Sequence, residues 1–138
     1  MKRQLPGGFE LDDDLDRIDV REVHRFLSED SYWALGRPYE LAERLVREAA
    51  RVVGLYYEGR TVGFARVVSD GAVIAYLSDV YVLPEFRGRG LGVELIREAV
   101  ENGPYERLRW ILHTKDAHGL YEKFGFGPPS ARLMERPG

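Results

Sequence analysis

The sequence of 138 residues contains no cysteine. That absence excludes a disulfide framework, thiolate metal sites and a cysteine nucleophile. Long apolar runs are missing too. No stretch approaches the roughly 20 residues that a membrane helix needs, so no membrane span is expected. The first residues, Met1-Lys2-Arg3-Gln4-Leu5-Pro6-Gly7-Gly8, lack the apolar centre of a secretory signal, and the expected location is the cytoplasm. Positive charge is in short supply, with a formal net charge of -3. Polyanion-binding proteins are usually basic, so nucleic acid is not an expected partner. No repeat and no low-complexity tract interrupts the chain. His113 and His118 fall on different elements with no matching acidic cluster, and no metal site is expected.

Hydrophobic residues make up 44% and charged residues 31%. This is the composition of a soluble globular protein, and the length suits one domain over residues 1–138. The stretch to about Asp16 reads as irregular apart from a short strand at Phe9–Leu11, with Asp12-Asp13-Asp14 as a solvated turn. Asp19 and Glu22 form a capping box ahead of a helix that carries Val20, Val23, His24 and Leu27 and ends at Ser28–Ser31. Pro38 opens a second helix with Leu41, Leu45 and Ala49 as its buried stripe.

Three strand-like runs follow, at Val52–Tyr57, Val62–Val68 and Val73–Val82. The turns Glu58-Gly59-Arg60 and Asp70-Gly71 join them into an antiparallel meander. An amphipathic helix then buries Leu91, Leu95, Ile96, Ala99 and Val100 and exposes Glu94, Arg97, Glu98 and Glu101. Trp110–Leu112 reads as a buried strand, reached by a right-handed parallel crossover. A last helix is expected over Asp116–Phe124 with Gly125 as its cap, and a final strand over Ala131–Met134. The order gives an α+β or mixed α/β fold with one central sheet.

Gly88, Gly90 and Gly92 alternate between a strand and a helix. A helix start exposes unpaired N–H groups and carries partial positive charge, and glycines let an anion approach closely. Arg87 and Arg89 add phosphate-matching donors. The turn is suited to a diphosphate. A Walker loop would need Gly-Lys-Ser or Gly-Lys-Thr. A dinucleotide fingerprint would need a third glycine at Val93 inside a β-α-β frame, and here a meander precedes the turn.

The run Val80-Tyr81-Val82-Leu83-Pro84-Glu85-Phe86-Arg87-Gly88-Arg89-Gly90-Leu91-Gly92 resembles the acetyl-CoA motif of the GNAT superfamily of N-acetyltransferases. Leu120-Tyr121-Glu122-Lys123-Phe124-Gly125-Phe126 resembles that family's second signature. The resemblance covers the chain from about Val52 onward. It implies a twisted mixed sheet, splayed between the strands at Val73–Val82 and Trp110–His113, with acetyl-CoA as cosubstrate. The pantetheine arm would pair with Val80, Tyr81 and Val82, and the diphosphate would rest on Arg87, Gly88, Arg89, Gly90, Leu91 and Gly92. Thr114 stands near where many members carry an asparagine toward the pantetheine arm.

The resemblance also implies that the Tyr121 hydroxyl lies beside the thioester sulfur. Asp79, where members often carry an acidic residue, becomes the candidate general base, with a structural hydrogen-bonder as an equal reading. His24 reads as a packing histidine. Tyr32 and Trp33 either wall the acceptor pocket or belong to the core. The expected acceptor is a small-molecule or peptidyl primary amine, entering as a cation drawn by acidic loops. Arginines binding an anionic acceptor are the opposing reading. A non-catalytic acyl-CoA sensor on the same fold is the alternative function. Monomer and homodimer are both compatible with the sequence.

Overall fold

The computed structural model describes residues 2–138. Six strands form one mixed sheet in sequence order: β1 (Lys2–Leu5), β2 (Phe9–Asp12), β3 (Arg51–Tyr57), β4 (Arg60–Ser69), β5 (Ile74–Val82) and β6 (Arg109–Leu112). β1 to β5 are antiparallel neighbours, and β5 and β6 run parallel. Four helices complete the fold: α1 (Val20–Asp30), α2 (Tyr39–Arg47), α3 (Leu91–Val100) and α4 (His118–Glu122). The meander forms because its turns are too short for anything but reversal. The link from β5 to β6 is long enough to hold α3, which permits the parallel pairing.

Side-chain alternation assigns the helices to faces. Arg51 pairs in register with Val67 and bonds to Glu98 of α3, so that face carries α3. Phe64 and Tyr81 are register partners on the other face. There Phe26 of α1 stacks on Tyr81 at 4.0 Å between ring centroids. Asp19 caps α1 through a bond from the Glu22 N–H at 3.3 Å, as the sequence predicts.

Several expectations are corrected. The polar segment Lys2–Leu5 is a strand, because Gly7 and Gly8, at φ 85° and 86°, turn it back onto β2. Only Leu5 of that strand is buried, which leaves no hydrophobic period to read. The acidic run is not merely solvated. Arg17 binds Asp12 at 3.0 Å, Arg51 binds Asp13 at 3.1 Å, and Asp14 caps the 3-10 turn Leu15–Arg17. α2 buries Ala42 and Val46, while Leu41 is 39% exposed. The small Ala42 turns that side of α2 inward.

α4 is shorter than expected. Its exit tightens into bonds from the Phe124 N–H to the Tyr121 carbonyl and from the Gly125 N–H to the Glu122 carbonyl, a spacing that ends the α-helical ladder. Residues 131–134 form no strand. Pro128 and Pro129 bring no N–H groups to a ladder, and the chain instead turns with Leu133 N–H on Ser130 O. Trp110 and its β6 neighbours are only half-buried as a result.

The largest departure is Glu98, which helical spacing assigns to solvent and which is fully buried. Its carboxylate takes bonds from Arg3 Nε at 2.8 Å and Arg51 Nη2 at 3.3 Å. Arg51 Nη1 also donates to the Glu98 carbonyl at 2.8 Å. One ion cluster thus ties β1, β3 and α3 together. Removing one partner of a buried pair leaves an uncompensated charge. Glu98→Ala is expected to lower the unfolding free energy by about 3–5 kcal/mol in urea denaturation. Arg3→Ala removes a side chain that is 32% exposed and is expected to cost only about 1 kcal/mol. Equal losses for the two variants would contradict the buried cluster.

Candidate functional site

β5 is the element around which the site is built. It pairs with β6 only from Ile74↔Arg109 to Leu77↔Leu112. Beyond Leu77 the two parallel strands part, and Ser78 to Val82 have no strand on that side. On the other side, Arg66 pairs with Ser78 and Phe64 with Tyr81, so Asp79 and Val80 together face the single residue Ala65. This is a β-bulge, which bends a strand and frees backbone groups from the ladder. Asp79 takes the extra residue's conformation at φ 55°, a region that non-glycine residues rarely occupy.

The strained position is fixed by the Asp79 carboxylate. Arg66 Nε donates to Oδ2 at 2.8 Å and Arg37 Nη1 to the same oxygen at 2.9 Å. Trp33 Nε1 donates to Oδ1 at 2.9 Å. Burial by itself would raise the Asp79 pKa, but the Arg66 charge and the Arg37 hydrogen bond outweigh it and hold the carboxyl below its ordinary range. The general base expected here is therefore a carboxylate already engaged by three donors, which makes it a weak proton acceptor. Its geometry is that of an anchor joining β4, β5 and the loop between α1 and α2.

At the far end of β5, the 3-10 turn Pro84–Phe86 leads into the glycine turn. Gly90 caps α3 at φ 76°. The first bond within α3 runs from Glu94 N–H to Gly90 O at 3.3 Å, so the N–H groups of Leu91, Gly92 and Val93 have no helical acceptor. A Cβ added at Gly88, Gly90 or Gly92 would meet no atom within 4 Å. The glycines thus border open space in front of free donors. The two arginines behave differently from expectation. Arg87 Nε is turned back onto the Val82 carbonyl at 2.9 Å. The Arg89 guanidinium lies 5.8 Å from the Phe86 ring centroid. Both bring charge to the turn while bracing it.

Tyr121 sits on α4, the helix that follows β6. It packs edge-on against Phe126 at 5.9 Å and lines a groove of about 1230 Å³ with Thr114 and His113. Burial first, then Tyr32 and Asp116, push its hydroxyl up to about 12, and the hydroxyl has no protein hydrogen-bond partner. Thr114 Oγ1 accepts from the Ala117 N–H at 3.1 Å just ahead of α4 and keeps its proton to donate. Tyr32 and Trp33 are 49% and 41% exposed, so neither belongs to the core. His24 Nε2 is bonded to the Arg37 carbonyl at 2.8 Å, a packing role that also holds the Arg37 loop.

The sequence reading passed over three groups. Arg37 and Arg66 lie in no recognisable motif. The third group is a chain from the Tyr76 hydroxyl to His113 Nδ1, with His113 Nε2 bonded to Glu135. The β5–β6 register could have pointed to Tyr76, since Tyr76 pairs with Ile111, two residues before His113. Among the described residues, no group of three or more His, Asp or Glu side chains could hold a metal ion. Among the described residues, no helix is long and apolar enough to cross a membrane.

Comparison with known proteins agrees with this geometry. A solved structure from Xanthomonas campestris pv. campestris, assigned to the GNAT family, is 40% identical, with a TM-score of 0.90 over 98% of this chain and 96% of that one. A GNAT family acetyltransferase from Brucella melitensis, solved in complex with acetyl-CoA, shares the fold at 20% identity, with a TM-score of 0.67 over 87% of this chain and 83% of that one. A Gibberella zeae protein named as an acetyltransferase is 34% identical over 93 residues, or 59% of this chain. This chain spans about half of that relative, 52% of its length. The profile described as the Acetyltransferase (GNAT) family matches residues 17–126. With the splayed sheet, the bulged strand and the glycine-capped helix in the matched region, the chain belongs to the GNAT family of acetyltransferases.

Proposed function

We propose that the protein is an acetyl-CoA-dependent N-acetyltransferase that acts by direct attack of an amine on the thioester. The observation that carries this reading is the parting of β5 from β6 after Leu77, on the strand that leads to the glycine-capped start of α3. The pantetheine arm takes the place of the missing strand beside Val80, Tyr81 and Val82. The diphosphate rests on N–H groups from Gly88 to Gly92, where fixed donors and the helix field favour an anion. Thr114 donates its hydroxyl proton toward the arm. The Brucella relative's complex with acetyl-CoA supports the choice of cosubstrate.

In the reaction, the amine nitrogen bonds to the thioester carbon and the carbon–sulfur bond breaks. Backbone N–H groups freed by the bulge stabilise charge on the carbonyl oxygen. Because the Tyr121 hydroxyl stays protonated at neutral pH, it donates to the departing sulfur, and the proton that the attacking nitrogen sheds on becoming an amide restores the hydroxyl. The ammonium form of the acceptor must first lose a proton. That proton passes to the Tyr76 oxygen as Tyr76 gives its own to His113 Nδ1, and the Glu135 carboxylate balances the resulting charge. Histidine is suited to exchanging a proton near neutral pH, and His113 is exposed enough to return it to water.

Three outcomes test this reading. Leucine at Gly92 suits a helix better than glycine and meets open space in the free protein. Gly92→Leu is therefore expected to fold at least as stably as wild type while its Kd for acetyl-CoA rises at least about tenfold by calorimetry. Unchanged affinity would remove the diphosphate from this turn.

Tyr121→Phe is expected to lower kcat by about 10²-fold or more with acetyl-CoA affinity preserved. A wild-type rate would reduce Tyr121 to packing.

The third outcome separates His113 from Asp79. His113→Gln is expected to lose rate mainly at neutral pH and to recover as pH rises, because more amine is then already neutral. Asp79 has a lowered pKa in the folded state. Its stabilisation is therefore present above the unfolded value near ~3.9 and is lost as pH falls through the folded one. Asp79→Asn is expected to lower the melting temperature at pH 7 and to flatten the acid limb of stability, with no recovery of activity at high pH. Rescue of Asp79→Asn by alkali would restore it as the base.

A further inference from the structure

The face of the splay opposite α3 carries more positive charge than the protein neutralises. Arg37 and Arg66 share one carboxylate, Asp79, and both address its Oδ2. Arg66 Nη2 also donates to Ser78 Oγ at 3.1 Å. Nε and Nη2 of Arg37 and Nη1 of Arg66 have no protein partner. Yet the two side chains are only 16% and 11% exposed. On α1, Glu22 and Asp30 pair instead with Arg25. One unit of charge is therefore left unmatched on two recessed side chains, and their unused, fork-shaped donors, none of them a fully buried unpartnered atom, open to solvent where an anion can reach them.

Its position ties it to the site. Ser78, which Arg66 touches, is the first residue of β5 beyond the last pair with β6. The same place has a rigid aromatic wall. Trp33 is fixed by its bond to Asp79, and the Tyr32 hydroxyl accepts from Lys115 N–H at 2.9 Å. The two rings pack edge-on at 5.0 Å. Large aromatic surfaces that are both exposed and immobilised are suited to receiving an apolar body. The acidic run that would draw a cation is bound to Arg17 and Arg51, with Asp12 separated from Asp79 by strands β3 and β4.

Building on the acetyl-transfer reading, we propose that Arg37 and Arg66 form a carboxylate-binding subsite, so that the acceptor is a primary amine bearing both a carboxylate and an apolar body, as an apolar amino acid does. A carboxylate carries the single charge that the pair leaves unmatched, and its two oxygens suit the guanidinium fork. A phosphate monoester brings about -1.5 to -2, more than the surplus.

Matched amines test the subsite: L-phenylalanine against 2-phenylethylamine, L-leucine against isoamylamine, and O-phosphoethanolamine against ethanolamine, each read by thiol release. The carboxylated members are expected to exceed their decarboxylated partners at least about tenfold in kcat/KM. Arg37→Lys keeps a charge beside Asp79 but loses the fork, and is expected to bring that ratio toward one. A direct measurement avoids dependence on turnover and on the variant's folding: 3-phenylpropionate should bind the wild-type protein by calorimetry, and 3-phenylpropionamide should not. Equal use of decarboxylated amines, preference for the phosphorylated one, or equal binding of acid and amide would each overturn the subsite. Failure of acetyl-CoA to bind would instead sink the acetyl-transfer reading, and the 3-phenylpropionate measurement would still decide the subsite.

Discussion

One buried carboxylate holds the working half of this molecule in shape. Asp79 sits in a backbone conformation that costs free energy, and it persists because three donors, two from the α1–α2 loop and one from β4, converge on its side chain. The bulge it anchors turns β5 away from β6 and opens the cleft. The two bonds from Trp33 and Arg37 draw in the α1–α2 loop, and with it the Tyr32 and Trp33 rings. Bulge, cleft and acceptor wall thus share a single electrostatic knot, and a carboxylate used in this way is ill suited to carry protons.

A second ion cluster does comparable service on the other face. Glu98 of α3 meets Arg3 and Arg51, and Arg51 reaches on to Asp13. Its effect is positional. α3 starts at the glycine turn, and a buried pair resists sliding of the helix along the sheet more sharply than apolar contacts do. The Leu91, Leu95, Ile96 and Ala99 face supplies burial, and the ion cluster supplies register. The glycine turn then needs no cationic side chain aimed at the ligand. Its arginines brace the loop against Val82 and Phe86 and leave the backbone N–H groups as the contact surface.

These two clusters also explain how an acidic chain can present a cationic subsite. The net charge of -3 is an average over surface carboxylates, many of them paired along helices, as Arg44–Glu48 and Arg97–Glu101 are. What an incoming molecule meets is local. At the mouth of the splay two guanidiniums face one carboxylate, and low exposure makes that local imbalance count for more than the distant sum.

The meander, the α3 crossover, the glycine-capped helix start and the place of Tyr121 were all legible in the sequence. Each is local: a two-residue turn, a period of 3.6, or glycines at fixed offsets specify their own geometry within a few residues. β1 was not legible, because an edge strand such as Lys2–Leu5 is held by its partner and not by a hydrophobic period. Glu98 read as solvent-facing, because helical spacing records which side a residue is on and not whether a guanidinium 47 positions away in the chain will follow it inward. Asp79 could be singled out as a position, but its role could not. Whether a carboxylate is a base or an anchor depends on its partners, and Trp33, Arg37 and Arg66 lie 46, 42 and 13 residues from it in the chain. Sequence spacing alone determined the elements and their order; only the tertiary structure decided where charge is left unpaired, because that depends on which distant groups share one desolvated space.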